Sequence, residues 1–205
     1  MFAFLPGITL ATPVGPEYRP LSALSHVLVE MRYATAARQL GEDLYGAFAA
    51  GYLHAEAYAK LEQAAVLLQG ERPAWKLLVL DALRPRSAQR RLFEKVRGTP
   101  REKYVAQPET GSVHNFGFAV DITLQDEQGR EVDMGTPYAD LTPLASPRHE
   151  KRYLAAGSLT AAQVANRRLL RRVMEQAGFR QLPIEWWHFD ALPGAEVRAT
   201  YKIVE

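Results

Sequence analysis

Residues 112–124 read SVHNFGFAVDITL, and the second half of that stretch alternates with a period of two. Phe118, Val120, Ile122 and Leu124 would face one side of a strand, and Ala119, Asp121 and Thr123 the other. An acid on an otherwise apolar strand is not there for packing. Gly117 stands at the strand's entry, where a glycine lets the backbone turn so that His114 and Asp121 can reach a common point.

Other strands are read on either side of this one. WKLLVLDAL, 75–83, is a short continuous apolar run of the kind found in a buried strand, and HVLVEMRYA, 26–34, alternates. IEWWHFD, 184–190, and VRATYKIV, 197–204, are rich in aromatic and β-branched residues and also read as strands. Helical spacing appears over 55–69, with Gly70 as a stop, and over 88–97, with Ser87 as cap and Gly98 as end. The clearest helix is 161–177, opened by Thr160 and closed by Gly178, with Val164, Leu169, Leu170, Val173, Met174 and Ala177 on its apolar stripe. Arg167, Arg168, Arg171 and Arg172 fall off that stripe and read as a solvated face. Strands and helices do not alternate strictly. The expectation is an α+β domain, with an antiparallel or mixed central sheet and flanking helices.

A chain of 205 residues with 47% hydrophobic and 23% charged side chains suits one globular domain, 1–205. Its first 20 residues, with four prolines, read as an irregular arm, and the punctuated stretch 125–150 reads as a long loop. The net charge of +2 offers little attraction to nucleic acid or to a membrane surface, so neither is expected as a partner. No oligomeric state is indicated. The N-terminus lacks the basic region of an export signal, which points to the cytoplasm, or to the periplasm if a leader is removed. The absence of cysteine restricts any metal site to His, Asp and Glu.

SVHNFGFAVD, 112–121, and EWWH, 185–188, together place two histidines and two carboxylates in apolar surroundings. Two His and one Asp make a common ligand set for catalytic zinc, with Glu185 placed to act as general base. Spacing alone leaves such a site and an incidental grouping both open. Residues three apart on an ideal strand face opposite ways, so an irregularity at Trp186 or Trp187 is expected if Glu185 and His188 are to share a site. His26, His54 and His149 have no such setting.

SVHNFGFAVD resembles the SxHxxGxAxD motif, and EWWH the ExWH motif, of the zinc peptidase family that contains the D-alanyl-D-alanine dipeptidases and related D,D-carboxypeptidases. MRYAT at 31–35, DALRP at 81–85 and DMGTP at 133–137 look like the dipeptidase branch. The resemblance implies the fold shared by D,D-peptidases and Hedgehog domains, and one zinc ion held by His114, Asp121 and His188. It further implies Glu185 as catalytic base, Arg84 as the residue that stabilises the transition state and contacts substrate, and Ser112 near the substrate, where a plain turn role is the alternative. The implied activity is hydrolysis of D-Ala-D-Ala or a similar free dipeptide by zinc-activated water, in a closed pocket that rejects longer or acylated peptides. A cell-wall D,D-carboxypeptidase or endopeptidase, and a non-catalytic zinc-binding module, are the rival readings. One departure stands out: the acid that usually follows the aromatic residue of this segment is Ala139 here, with Asp140 one place later. If that acid fixes the arginine, its support is lost or the loop is reshaped.

Overall fold

The computed structural model describes residues 14–33 and 43–205. Its strands and helices run in the order β1 (Tyr18–Pro20), β2 (Val27–Val29), β3 (Tyr52–His54), α1 (Ala55–Glu71), β4 (Lys76–Asp81), α2 (Arg86–Val96), β5 (Ala119–Gln125), α3 (Glu150–Ala155), α4 (Ala161–Gln176), β6 (Arg180–Gln181), β7 (His188–Asp190) and α5 (Gly194–Thr200). The main sheet has the order β2-β4-β5-β7-β6. Its β2–β4 pair is parallel and its other pairs are antiparallel, so the sheet is mixed and the class is α+β, as expected.

β5 lies at the centre with its first six residues buried. That explains why its sequence is apolar on both faces apart from Asp121 and Thr123. α1 sets Ala57, Leu61, Ala64, Ala65 and Leu68 into the interior against β4 and α4. α4 opens as expected, with a reciprocal cap in which Gln163 N donates to Thr160 Oγ1 at 3.2 Å and Thr160 N to Gln163 Oε1 at 2.8 Å. The apolar stripe of α4 faces the same core. Among the described residues no helix is long and apolar enough to cross a membrane.

Several expectations are corrected. α1 runs through Gly70 to Glu71, and α2 starts at Arg86 with Pro85, not Ser87, in the capping position. The end of the irregular arm is strand β1, which pairs with β3; residues 1–13 of the arm and the last position of the strand read over 26–34 lie outside the described residues. Only the last three residues of 184–190 form a strand. The stretch 197–204, read as a strand, begins in α5, because Pro193 opens a helix that buries Val197 and packs on the turn that carries His114. The β-branched residues there report burial rather than pairing. The long loop contains two short 3-10 segments and leads into helix α3 at Glu150. Of the arginines read as a solvated face, Arg168 and Arg172 are exposed and Arg171 is partly buried, but Arg167 is wholly buried, with Nε donating to Met134 O at 2.7 Å and Nη1 to Leu144 O at 3.1 Å. It pins the loop onto α4.

Candidate active site

His114 sits in a short 3-10 helix, Val113–Phe116, that Ser112 caps: Ser112 Oγ accepts from His114 N at 3.4 Å, and Asn115 Oδ1 accepts from Ser112 N at 2.6 Å. Gly117 ends the turn with φ +74, and a Cβ there would lie 2.7 Å from the Tyr18 ring. Both facts require glycine. The chain then enters β5, whose Asp121 is paired with His188 on β7 and, across a bulge between Val79 and Asp81, with Asp81 on β4. Directly paired residues share a face. Asp81, Asp121 and His188 therefore form a row across three strands, and the 3-10 turn lowers His114 onto it.

His114 Nε2 lies 3.2 Å from Asp121 Oδ1 and 3.2 Å from His188 Nδ1, and His188 Nδ1 lies 2.9 Å from Asp121 Oδ1. Ligand atoms around a tetrahedral zinc with bonds of ~2.0–2.1 Å are about 3.3 Å apart, so the spacing fits. Proton placement fits as well. His114 Nδ1 faces the carbonyl of Ala82 at 2.8 Å and must donate to it, which leaves a lone pair on Nε2. His188 Nε2 faces Asp190 Oδ1 at 3.0 Å, which leaves a lone pair on Nδ1. With both rings neutral, three acceptors converge with no proton among them, an arrangement that calls for a cation. Without a cation, the same site favours an added proton. Burial opposes the charged form of His188, but hydrogen bonds to Asp121 and Asp190 outweigh it and hold its pKa well above the usual range. Burial likewise opposes Asp121 ionisation, and the two histidines outweigh it and hold its pKa low. Tyr138 Oη donates to Asp121 Oδ2 at 2.7 Å, occupying the carboxylate's other oxygen.

Glu185 is half-buried and lines the same cavity as these three residues. Burial raises its pKa above the ordinary carboxylate value, although His188 opposes that. The expected irregularity is present: Trp186 and Trp187 lie in a bend before β7 begins at His188. Trp186 is anchored there, its Nε1 donating to Thr136 Oγ1 at 2.9 Å and its carbonyl accepting from Gln181 Nε2 at 2.8 Å.

Arg84 is 7% exposed and also lines the cavity. Its Nε and Nη2 both donate to Asp81 Oδ2, its Nη1 donates to Gln89 Oε1 at 2.8 Å, and its guanidinium carbon lies 5.7 Å from the centre of the Tyr33 ring. Tyr45 Oη donates to the other oxygen of Asp81. Burial disfavours the guanidinium charge, and Asp81 more than restores it. The question raised by Ala139 is thereby answered. Arg84 is held by Asp81 and Gln89, while Asp140 Oδ1 turns back to accept from Thr142 N at 2.8 Å. Ala139, with φ +60, itself lines the cavity.

The cavity measures about 740 Å³, and Ser112 is on its wall as well as capping the His114 turn. The sequence reading missed Asp81, Gln89, Tyr138 and Asp190. Asp190 had a usable signal, since it stands two residues after His188 on a strand and so shares its face. Asp81 stands in DALRP three residues before Arg84, and Gln89 five residues after it, but no periodicity marks either pairing, and Tyr138 lies 17 residues from its partner Asp121.

A family model described as D-ala-D-ala dipeptidase matches residues 20–205. A D-alanyl-D-alanine dipeptidase of Escherichia coli (strain K12) is 34% identical over 176 residues, covering 86% of this chain and 82% of the relative. One from Synechocystis is 29% identical over 210 residues, covering 88% and 85%, and one from Enterococcus faecalis is 30% identical over 129 residues, covering 55% and 60%. The chain belongs to the D-ala-D-ala dipeptidase family of metallopeptidases, and is a peptidase in which His114, Asp121 and His188 form a group able to hold a metal ion.

Proposed function

We propose that this protein is a zinc-dependent dipeptidase, one ion per chain, that hydrolyses D-Ala-D-Ala or a similar free dipeptide. The observation that carries the reading is the convergence of two imidazole nitrogens and a carboxylate oxygen in one cavity with a carboxyl group and a buried guanidinium. A hydrophobic core continuous from Leu21 to Val197 supports a single peptidase domain. A non-catalytic zinc module has no use for Glu185 or for a costly buried Arg84.

His114, Asp121 and His188 would hold the ion, with Ala82 O, Tyr138 and Asp190 orienting them. When bound, zinc supplies Lewis acidity that polarises the scissile carbonyl and lowers the pKa of water. Glu185, its carboxyl pKa raised by burial, takes the proton of the attacking water and delivers it to the leaving amine. Arg84 donates to the oxygen on which negative charge develops, and because Asp81 and Gln89 already fix its plane it needs little reorganisation. Ser112 lies on the wall beside the ligand turn, within reach of a bound peptide.

The test is amino-acid release from D,D-, L,D-, D,L- and L,L-dipeptides by the zinc-loaded protein, beside elemental analysis. Zinc near one per chain should fall sharply in His114→Ala, Asp121→Ala and His188→Ala, while Glu185→Gln keeps the metal and loses at least ~10²-fold in kcat. Failure to cleave any D,D-dipeptide would overturn the assignment.

A further inference from the structure

The cavity is larger than the implied substrate needs. A dialanine has about eleven non-hydrogen atoms, and even at the ~30 Å³ that a liquid water occupies each, it would fill less than half of the available space; the cavity offers about 740 Å³. The surplus has a definite character. Part of the wall is built by Leu92 and Val96 from the end of α2, Val105 from the segment after it, and Leu141 from the long loop. Leu92 also belongs to a small hydrophobic cluster with Leu44 and Ala88, against which Tyr33 and Val105 pack, so this wall has a floor of its own.

Two further observations point the same way. Tyr104, on the cavity wall, is a large hydrophobic residue that is 37% exposed. The loop also presents Ala139 to the cavity while Asp140 is turned back onto its own turn, so no carboxylate from that segment enters. Arg101, exposed at the same rim, keeps its charge toward water.

We infer that the cavity contains an apolar subsite, formed by Leu92, Val96, Val105 and Leu141 with Tyr104 at its rim, that takes a bulky aliphatic or aromatic side chain of a free dipeptide. This rests on the dipeptidase reading above and names its preferred substrate class: dipeptides with one large apolar residue, ahead of dialanine. Burying a leucine side chain in place of a methyl group is worth on the order of ten- to a hundredfold in kcat/KM.

The experiment compares kcat/KM of the zinc-loaded enzyme for D-Ala-D-Ala, D-Leu-D-Ala, D-Ala-D-Leu and N-hexanoyl-D-Ala-D-Ala, repeated with Val105→Trp. At least one leucyl dipeptide should exceed dialanine by roughly tenfold or more, and the tryptophan should shrink that ratio. Leu141→Trp, on a separate segment, replaces Val105→Trp if the latter does not fold. The inference is overturned if both leucyl isomers are no faster than dialanine, or if filling the wall leaves the ratio unchanged. It is equally overturned if the hexanoyl peptide outruns both, because the space would then serve an acyl chain. Turnover of dialanine in any of those cases leaves the dipeptidase reading standing, whereas loss of all dipeptide cleavage removes that reading itself.

Discussion

Arg84 shows how a single side chain is made ready for chemistry. A guanidinium at 7% exposure loses most of its hydration, and Asp81 repays that loss through two of its donors, with Gln89 taking a third. Breaking such a pair by removing one charge leaves the other buried and uncompensated, at a cost of about 3–5 kcal/mol. Asp81→Asn keeps the shape and removes the charge. It should lower the thermal midpoint and reduce kcat by more than about tenfold, because the oxyanion donor is no longer held in plane. Zinc content should stay near one per chain, since Asp81 is not among the converging ligand atoms. Elemental analysis beside steady-state kinetics checks this, and zinc loss would assign Asp81 to the metal site instead. In the sequence Asp81 was visible only as part of DALRP. What it does depends on a bulge that turns it toward Arg84 and into line with Asp121.

At the scale of elements, the turn between His114 and Asp121 carries the site. Gly117→Ala forces a Cβ into a left-handed conformation costing roughly 1–2 kcal/mol and against the Tyr18 ring. Stability should fall by at least that amount in chemical denaturation, and zinc affinity with it, because His114 and Asp121 lie on either side of the glycine. A tolerated alanine with unchanged zinc affinity would show that the turn is slack. The start of α1 yields a pH prediction. His54 caps it by accepting from Glu56 N at 3.4 Å, which only the unprotonated ring nitrogen can do. Burial lowers its pKa below the usual 6.5, more than Glu56 and Glu17 raise it. A depressed histidine pKa means that the fold prefers the neutral form, so this contribution is full above about pH 6.5 and is lost as the pH falls toward the folded value. His54→Asn, whose cap does not titrate, should lose less stability than the native chain between about pH 7.5 and pH 5. Parallel pH profiles for the two proteins would remove His54 from the account.

At the scale of the whole molecule, the loop that carries Tyr138 and Ala139 is tied to the body by Arg167, which reaches from α4 to the carbonyls of Met134 and Leu144 and lies 6.0 Å from the Trp186 ring centre. Arg167→Met preserves the packing volume but leaves those buried carbonyls unpaired, at about 1–3 kcal/mol each. Unfolding should shift by several kcal/mol in denaturant titration, with the 133–145 region opening first in hydrogen exchange; a neutral result would mean that water replaces the guanidinium. Much of this molecule was determined by its sequence alone: the α+β class, the buried strand through Asp121, the helix opened by Thr160, and the grouping of two histidines and two carboxylates, because periodicity, caps and motif spacing are local properties of the chain. Tertiary structure alone decided that 194–200 is a helix, that Arg167 is buried, that Asp81, Gln89 and Tyr138 support the site, and that Leu92, Val96, Val105 and Leu141 line one cavity. Each of these depends on strand register or on packing between elements, and no local pattern encodes that proximity.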